Sequence, residues 1–332
     1  MEKNRVIAIP MGDAAGVGPE IIVKALADPR LRDIRAVVIG DRNILEQACR
    51  ICGVPLTVRV IASPAEADFS EGILNLIDLG CIDMERFAFG KVSGMCGRAA
   101  YDCIAEAIRL TVQGDCAVVA TPPINKESLR AGGVSFIGHT EIFGALTGTA
   151  DPLTMFEVHG MRVFFLTRHL SLRQACDGVT KERIIDYVQR CGEALRQLGV
   201  TEGSMAIAAL NPHCGEHGLF GDEEMREVVP AVEWLKEHGY AVTGPIGADS
   251  VFHLAKQGRF SSVLSLYHDQ GHIACKTLDF DRTISMTLGM PILRTSVDHG
   301  TAFDIAGTGT ANETGMIEAI LVADRYAPNF SR

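Results

Sequence analysis

The chain has 332 residues, 47% hydrophobic and 22% charged, a composition that supports one large or two ordinary domains and leaves little room for extended disorder. Lys and Arg number 31 against 41 Asp and Glu, and the formal charge of −10 argues against a broad footprint on nucleic acid or anionic lipid. A small anion gathered by a few local cations stays open. No apolar run reaches the roughly 18 residues of a membrane-spanning helix, and the stretch up to residue 11 is too short for a secretory signal, so the expected location is cytoplasmic.

Ten cysteines (Cys49, Cys52, Cys81, Cys96, Cys103, Cys116, Cys176, Cys191, Cys214 and Cys275) lack the dense spacing of a disulfide framework, and free thiols are expected. Cys49 and Cys52 have CxxC spacing, but they sit in an amphipathic run closing at Gly53, which reads as helix packing.

In chain order, short β-rich runs alternate with helical stretches. Residues 5–11 read as a strand, 19–27 as a helix, 36–39 as a strand and 44–52 as a helix, a βαβα start. A helix over 98–113, a strand over 117–120 and a helix around 141–146 follow. Residues 153–158 and 161–166 flank His159-Gly160 as an antiparallel hairpin, so the sheet becomes mixed. A helix over 181–198, a strand over 205–210, a helix over 223–238, a strand over 262–267 and a helical tail over 313–327 complete the pattern. Neither a repeat nor a Pro- or Ser-rich linker separates two domains.

The first motif is Gly12-Asp13-Ala14-Ala15-Gly16-Val17-Gly18-Pro19-Glu20, between a strand and a helix. Its glycines permit close backbone approach and Pro19 suits a first helical turn, which invites a nucleotide reading. The order is not GxGxxG, however, and Asp41 is only a weak ribose ligand, so an ordinary Rossmann site is not expected. In Gly138-His139-Thr140-Glu141, Thr140 is a candidate helix cap and His139 a donor to phosphate or carboxylate.

Three strands run into histidines: 161–166 into Arg168-His169, 205–210 into Asn211-Pro212-His213, and 262–267 into His268-Asp269-Gln270-Gly271-His272. Ligand-binding loops of α/β folds lie beyond the carboxyl ends of strands. A single such histidine is commonly structural, but three in equivalent places suggest a metal site. Three neutral imidazoles suit Zn²⁺, Co²⁺ or Ni²⁺ better than Mg²⁺. Lys276, Arg294, Asp298 and His299 form a further polar cluster that reads either as an anion clamp or as a surface ion-pair network.

Taken together, GDAAGVGPE, GHTE, NPHCGE with GLFGDEE, YHDQGH and RTSVDHGTAFDIAGTG closely resemble the 4-hydroxythreonine-4-phosphate dehydrogenase family, in the same order and over nearly the whole chain. The resemblance implies two α/β/α domains of the isocitrate/isopropylmalate dehydrogenase type with mixed sheets. The first would comprise 1–135 plus 296–332 and the second 136–295, with the active site in the cleft between them. It also implies a homodimer whose active sites are shared between subunits. The implied divalent metal (Zn, Co, Ni, Mn or Mg) falls on His169, His213 and His268. The substrate contacts fall on His139, Thr140, Lys276 and Arg294, with Ser285 where the family has an asparagine. Ala14 likewise replaces a family proline.

The implied chemistry is NAD- or NADP-dependent oxidation of a phosphorylated four-carbon 3-hydroxy acid, followed by decarboxylation, at a nucleotide site unlike the Rossmann crevice. Asp249 and Lys276 are the candidate proton carriers. GLFGDEE looks more like the branch acting on 4-phospho-D-threonate or 4-phospho-D-erythronate than the vitamin B6 branch acting on 4-phosphooxy-L-threonine. Acyl or phosphoryl transfer on the same architecture, and a catalytically silent metabolite-binding protein, are the competing classes.

Overall fold

A computed structural model describes residues 5–330; residues 1–4 and 331–332 of the expected first domain lie outside it. In chain order the strands are β1 (Ile7–Pro10), β2 (Ala36–Gly40), β3 (Thr57–Val60), β4 (Ile73–Asp78), β5 (Val118–Thr121) and β6 (Leu153–Val158). They continue with β7 (Met161–Phe165), β8 (Met205–Ala208), β9 (Val242–Ile246), β10 (Ser262–Ser265), β11 (Ile284–Leu288) and β12 (Leu293–Ser296). The described chain divides into two compact units, one running up to Pro152 and resuming over Ile284–Phe330, the other Leu153–Thr283.

The first unit orders its strands β3-β4-β2-β1-β5-β12-β11. All pairs are parallel except β11 with β12, where Ser285 faces Ser296 and Thr287 faces Arg294. Segments 136–152 and 284–295, expected in the second domain, pack with this unit. The reason is apolar: Ile142 and Phe143 of helix His139–Thr147 are buried in the same core as Ile39, Ile104, Met290 and Ile292. The long helix Gly94–Gln113 starts at Ser93, whose hydroxyl accepts from the Cys96 amide at 3.4 Å, and stops at Gly114 in the left-handed conformation.

The second unit orders its strands β6-β7-β10-β8-β9. β6 and β7 form the expected antiparallel hairpin, turning through His159 and Gly160 at φ 50° and 80°. β7/β10, β10/β8 and β8/β9 are parallel. Its core gathers Phe156, Val163, Phe165, Ala206 and Val263. The helix expected over 223–238 is two pieces, a π-type turn Glu224–Val228 and an α-helix Val229–Glu237. Strands β3, β4, β9, β11 and β12 add to the expected set: Arg59, Gly244-Pro245 and Arg294 interrupt the apolar pattern of β3, β9 and β12, while β4 (ILNLID) and β11 (ISMTL) carry a legible apolar pattern. Among the described residues no helix is long and apolar enough to cross a membrane.

All ten cysteines are free thiols. Burial, followed by the Glu20 carboxylate, pushes the Cys52 thiol up to about 11, which suits packing rather than redox exchange.

Helices Gly94–Gln113 and Lys126–Ala131 pack backbone to backbone at Gly97. A Cβ at Gly97 would lie 1.9 Å from the Ser128 carbonyl oxygen. Gly97→Ala must push the two helices apart. It is expected to destabilise the protein by about 3 kcal/mol, checked by urea unfolding monitored by circular dichroism.

Candidate active site

Parallel pairing of β7, β10, β8 and β9 places the segments after their carboxyl ends side by side. His169 follows β7, His268 follows β10, His213 follows β8 and Asp249 follows β9. His169 and His268 line one cavity of about 250 Å³ together with Arg168, Leu170, Tyr267 and Asp269. Their ring centres are 6.2 Å apart. Two imidazoles on one tetrahedral ion, each bonded at about 2.1 Å, would bring their ring centres to about 5 Å.

His268 opens helix His268–Leu278, and its Nδ1 lies 2.6 Å from Asp269 Oδ1. With Nδ1–H donating to that carboxylate, Nε2 presents its lone pair outward, the orientation a metal ligand needs. One helical turn on, His272 stacks on His268 at 3.7 Å with planes 15° apart, and touches the rings of Phe156 and Phe165 at 4.3 and 4.6 Å. Burial first, and then proximity to His268 and to the Lys276 charge, pull the His272 pKa down to about 3, so it is neutral. Lys276 stands a further turn along, its Nζ 5.2 Å from the centre of the Phe280 ring. The i, i+4, i+8 spacing of His268, His272 and Lys276 was visible in the sequence and is the signal that would have found His272.

His213 begins a turn of unusual backbone. His213, Cys214, Glu216 and His217 have φ of 52°, 56°, 43° and 54°, with Gly215 between them at 78°. An L-residue in the left-handed region costs roughly 1–2 kcal/mol, so this run persists only where its surroundings hold it. The turn leans toward the end of β9: Cys214 Sγ is 3.7 Å from the Pro245 carbonyl. After burial, the charges of Glu224 and Asp249 raise the Cys214 pKa further. Among the described residues no group of three or more His, Cys, Asp and Glu side chains converges as a finished metal cage. In kind the donors fit a borderline divalent ion: three imidazoles issue from the ends of adjacent parallel strands, and two of them line one cavity.

The first unit holds the other polar constellation. Arg294 on β12 is 4% exposed, donating from Nε to Thr121 Oγ1 at 3.0 Å and from Nη1 to Thr287 Oγ1 at 2.8 Å. Its guanidinium lies 5.3 Å from the centre of the Phe143 ring. Burial pulls its pKa down to about 9, opposed by Asp298, which leaves it charged at neutral pH. His139 Nε2 is buried and makes no hydrogen bond. Burial and then the Arg294 charge hold the His139 pKa well below 6.5, so this imidazole is neutral. A buried cation beside an unsatisfied imidazole nitrogen is an arrangement suited to an anion. Ser285 and Thr287 share a face of β11 by the two-residue period of a strand. Thr121 and Thr287 had no signal in the sequence, because both read as ordinary strand residues.

One expectation changes, and the glycine motif and Asp41 receive structural partners. Thr140 is not a cap: it lies inside helix His139–Thr147, whose N-cap is Gly138, and the Glu141 carboxylate takes the Ile137 amide at 2.8 Å. The glycine motif over residues 11–20 is wholly buried. A Cβ at Gly16 would lie 2.8 Å from Thr301, and Glu20 accepts the Gly307 and Gly309 amides at 2.6 and 2.7 Å, so the loop packs against chain rather than phosphate. Asp41 caps helix Arg42–Cys52 through the Asn43 amide at 2.9 Å and also holds the Ile82 amide at 3.0 Å, so its carboxylate is already engaged.

The neutral state of His139 has a stability signature. Below pH 6.5 the unfolded chain protonates this imidazole while the folded chain does not, so the unfolded state binds more protons and stability falls as pH drops through that window. His272 acts in the same direction. His139→Asn is expected to flatten the dependence between pH 5 and 6.5 by up to about 1.4 kcal/mol per pH unit, read from urea unfolding across that range.

Known proteins agree with this architecture. The family described as pyridoxal phosphate biosynthetic protein PdxA matches residues 32–323. A Clostridium botulinum protein, provisionally named D-threonate 4-phosphate dehydrogenase, is 60% identical over 328 residues, covering 98% of each chain. The crystal structure of 4-hydroxythreonine-4-phosphate dehydrogenase from Klebsiella pneumoniae superposes with a TM-score of 0.90 at 41% identity, covering 98% of this chain and 100% of that one. A Burkholderia phymatum enzyme of the same name gives 0.87 at 40% identity, covering 99% of each chain. With two mixed α/β units, and a match of this kind along its length, the chain belongs to the PdxA family of dehydrogenases, whose fold is of the isocitrate/isopropylmalate dehydrogenase type.

Proposed function

We propose that the chain oxidises a phosphorylated four-carbon 3-hydroxy acid with NAD or NADP and a divalent metal, and that the 3-keto product loses CO₂. The observation that carries the reading is the delivery of His169, His213 and His268 from the carboxyl ends of three adjacent parallel strands. These imidazoles would hold the ion, with Asp269 orienting His268. When bound, the ion supplies Lewis acidity and the nicotinamide accepts hydride.

The chain's own residues have separable tasks. Arg294, held by Thr121 and Thr287, and His139 bind an anionic end of the substrate. Thr140, Ser285 and Lys276 adjust its reach. Asp249 and Lys276 take and return protons at the C3 hydroxyl and at the carbon that loses CO₂. The protein works as a homodimer in the cytoplasm.

4-Phospho-D-threonate or 4-phospho-D-erythronate is the favoured substrate, supported by the 60% identity to a relative of the first name. The likeness to two 4-hydroxythreonine-4-phosphate dehydrogenases, at 41% and 40% identity, supports 4-phosphooxy-L-threonine as the second reading.

The test is NAD(P)H formation at 340 nm with each phospho-acid and Co²⁺, Ni²⁺ or Zn²⁺, with CO₂ measured in parallel. The expected result is turnover that His169→Ala and His213→Ala each lower by more than about 100-fold, beyond the usual effect of altering a residue behind a metal ligand. Retained turnover in those variants would remove the metal role. Phosphate release without NAD(P)H would point to group transfer, and tight binding without turnover to a silent binding protein.

A further inference from the structure

The left-handed turn that starts at His213 needs an anchor, and the structure supplies one behind it. Glu224 is 1% exposed. Its Oε1 accepts the backbone amides of Leu210 and Asn211 at 2.8 and 2.7 Å, the two residues before Pro212 and His213. Its Oε2 accepts Asn211 Nδ2 at 2.8 Å, and would lie 3.0 Å from a Cβ at Gly215, two residues past His213. One carboxylate thus grips the chain entering the turn and fills the space beneath its middle. Asn211 Nδ2 also donates to Glu223 Oε2 at 2.7 Å, tying the entry to the neighbouring acid. The far side closes with the Phe220 amide on the Gly215 carbonyl at 3.1 Å.

We propose that Glu224 is a positioning residue: it clamps the strained turn so that the His213 imidazole is presented in one orientation. The inference rests on the reading of His213 as a metal ligand for its functional consequence, but the clamp itself is a property of the turn. The carboxylate is suited to this because all three groups facing it are N–H donors, which an ionised carboxylate accepts and a carboxamide cannot fully match. In Glu224→Gln the side-chain NH₂ must face at least one of those donors, so at least one of the three bonds is lost at constant size and the grip weakens.

The experiment compares wild type, Glu224→Gln and His213→Ala. Hydrogen exchange of the metal-free protein is measured by mass spectrometry, and Co²⁺ alone is titrated with d–d absorption as the readout. In Glu224→Gln, exchange is expected to rise over residues 209–221 and stay unchanged elsewhere, and Co²⁺ affinity to fall about tenfold or more with an altered spectrum. Unchanged exchange over that segment overturns the clamp. So does wild-type Co²⁺ affinity in Glu224→Gln when His213→Ala lowers it. If His213→Ala itself leaves Co²⁺ affinity unchanged, the metal reading of the proposed function fails, and the exchange data alone decide the clamp. Should Glu224→Gln not fold, Glu224→Asp carries the same comparison: it keeps the charge but withdraws the carboxylate from the Leu210 and Asn211 amides, so exchange over residues 209–221 is again expected to rise, and unchanged exchange overturns the clamp.

Discussion

Parallel pairing of β7, β10, β8 and β9 governs the chemistry of the second unit. Parallel strands end on the same side, and each must leave through a loop before its crossover helix. Side chains placed just beyond those ends become neighbours however far apart they are in sequence. His169 and His268 reach one cavity because β7 and β10 are hydrogen-bonded neighbours in register at Phe165 and Ser265. His213 and Asp249 enter the same row through β8 and β9. The apolar strands are therefore a device for arraying polar residues, and the Phe156 and Phe165 rings of that core reach up to support His272, the stacking partner of His268.

Electrostatics in the first unit runs opposite to the overall composition. A chain with a formal charge of −10 buries a guanidinium whose direct partners are two threonine hydroxyls and an aromatic face. Desolvating a cation is costly even with the Asp298 charge opposing it, and the arrangement is suited to an anionic ligand completing it. The neighbouring His139 stays neutral under that positive charge and offers a nitrogen with no partner. Buried carboxylates are treated differently. Glu20 and Glu224 each receive two backbone amides, so their function is to tie loops: Glu20 holds the chain at Gly307 and Gly309, and Glu224 the entry to the His213 turn.

Where the sequence misled, local pattern competed with packing. Glycines at 12, 16 and 18 mark a loop that must approach other groups closely, and sequence cannot say whether the approaching group is a phosphate or the protein itself; here it is Pro123, Thr301 and Met11. Thr140 has the right chemistry for a cap but stands inside the first turn, because the helix starts one residue earlier at His139. Segments 136–152 and 284–295 fall in the second domain by the family resemblance, yet Ile142, Phe143 and Ile292 are core residues of the first unit. Burial of large apolar side chains decided the matter.

Hydrophobic alternation and turn chemistry determined, from sequence alone, the α/β class, the hairpin at His159-Gly160 and the delivery of three histidines at strand ends, since these depend on periods of two and 3.6 residues and on glycine's backbone freedom. Strand order, by contrast, arises from contacts between residues far apart in the chain. Only the tertiary structure made β7, β10 and β8 neighbours, set Arg294 between Thr121 and Thr287, stacked His272 on His268 and placed Glu224 beneath the His213 turn. Each of these is a relation between segments that no local propensity encodes.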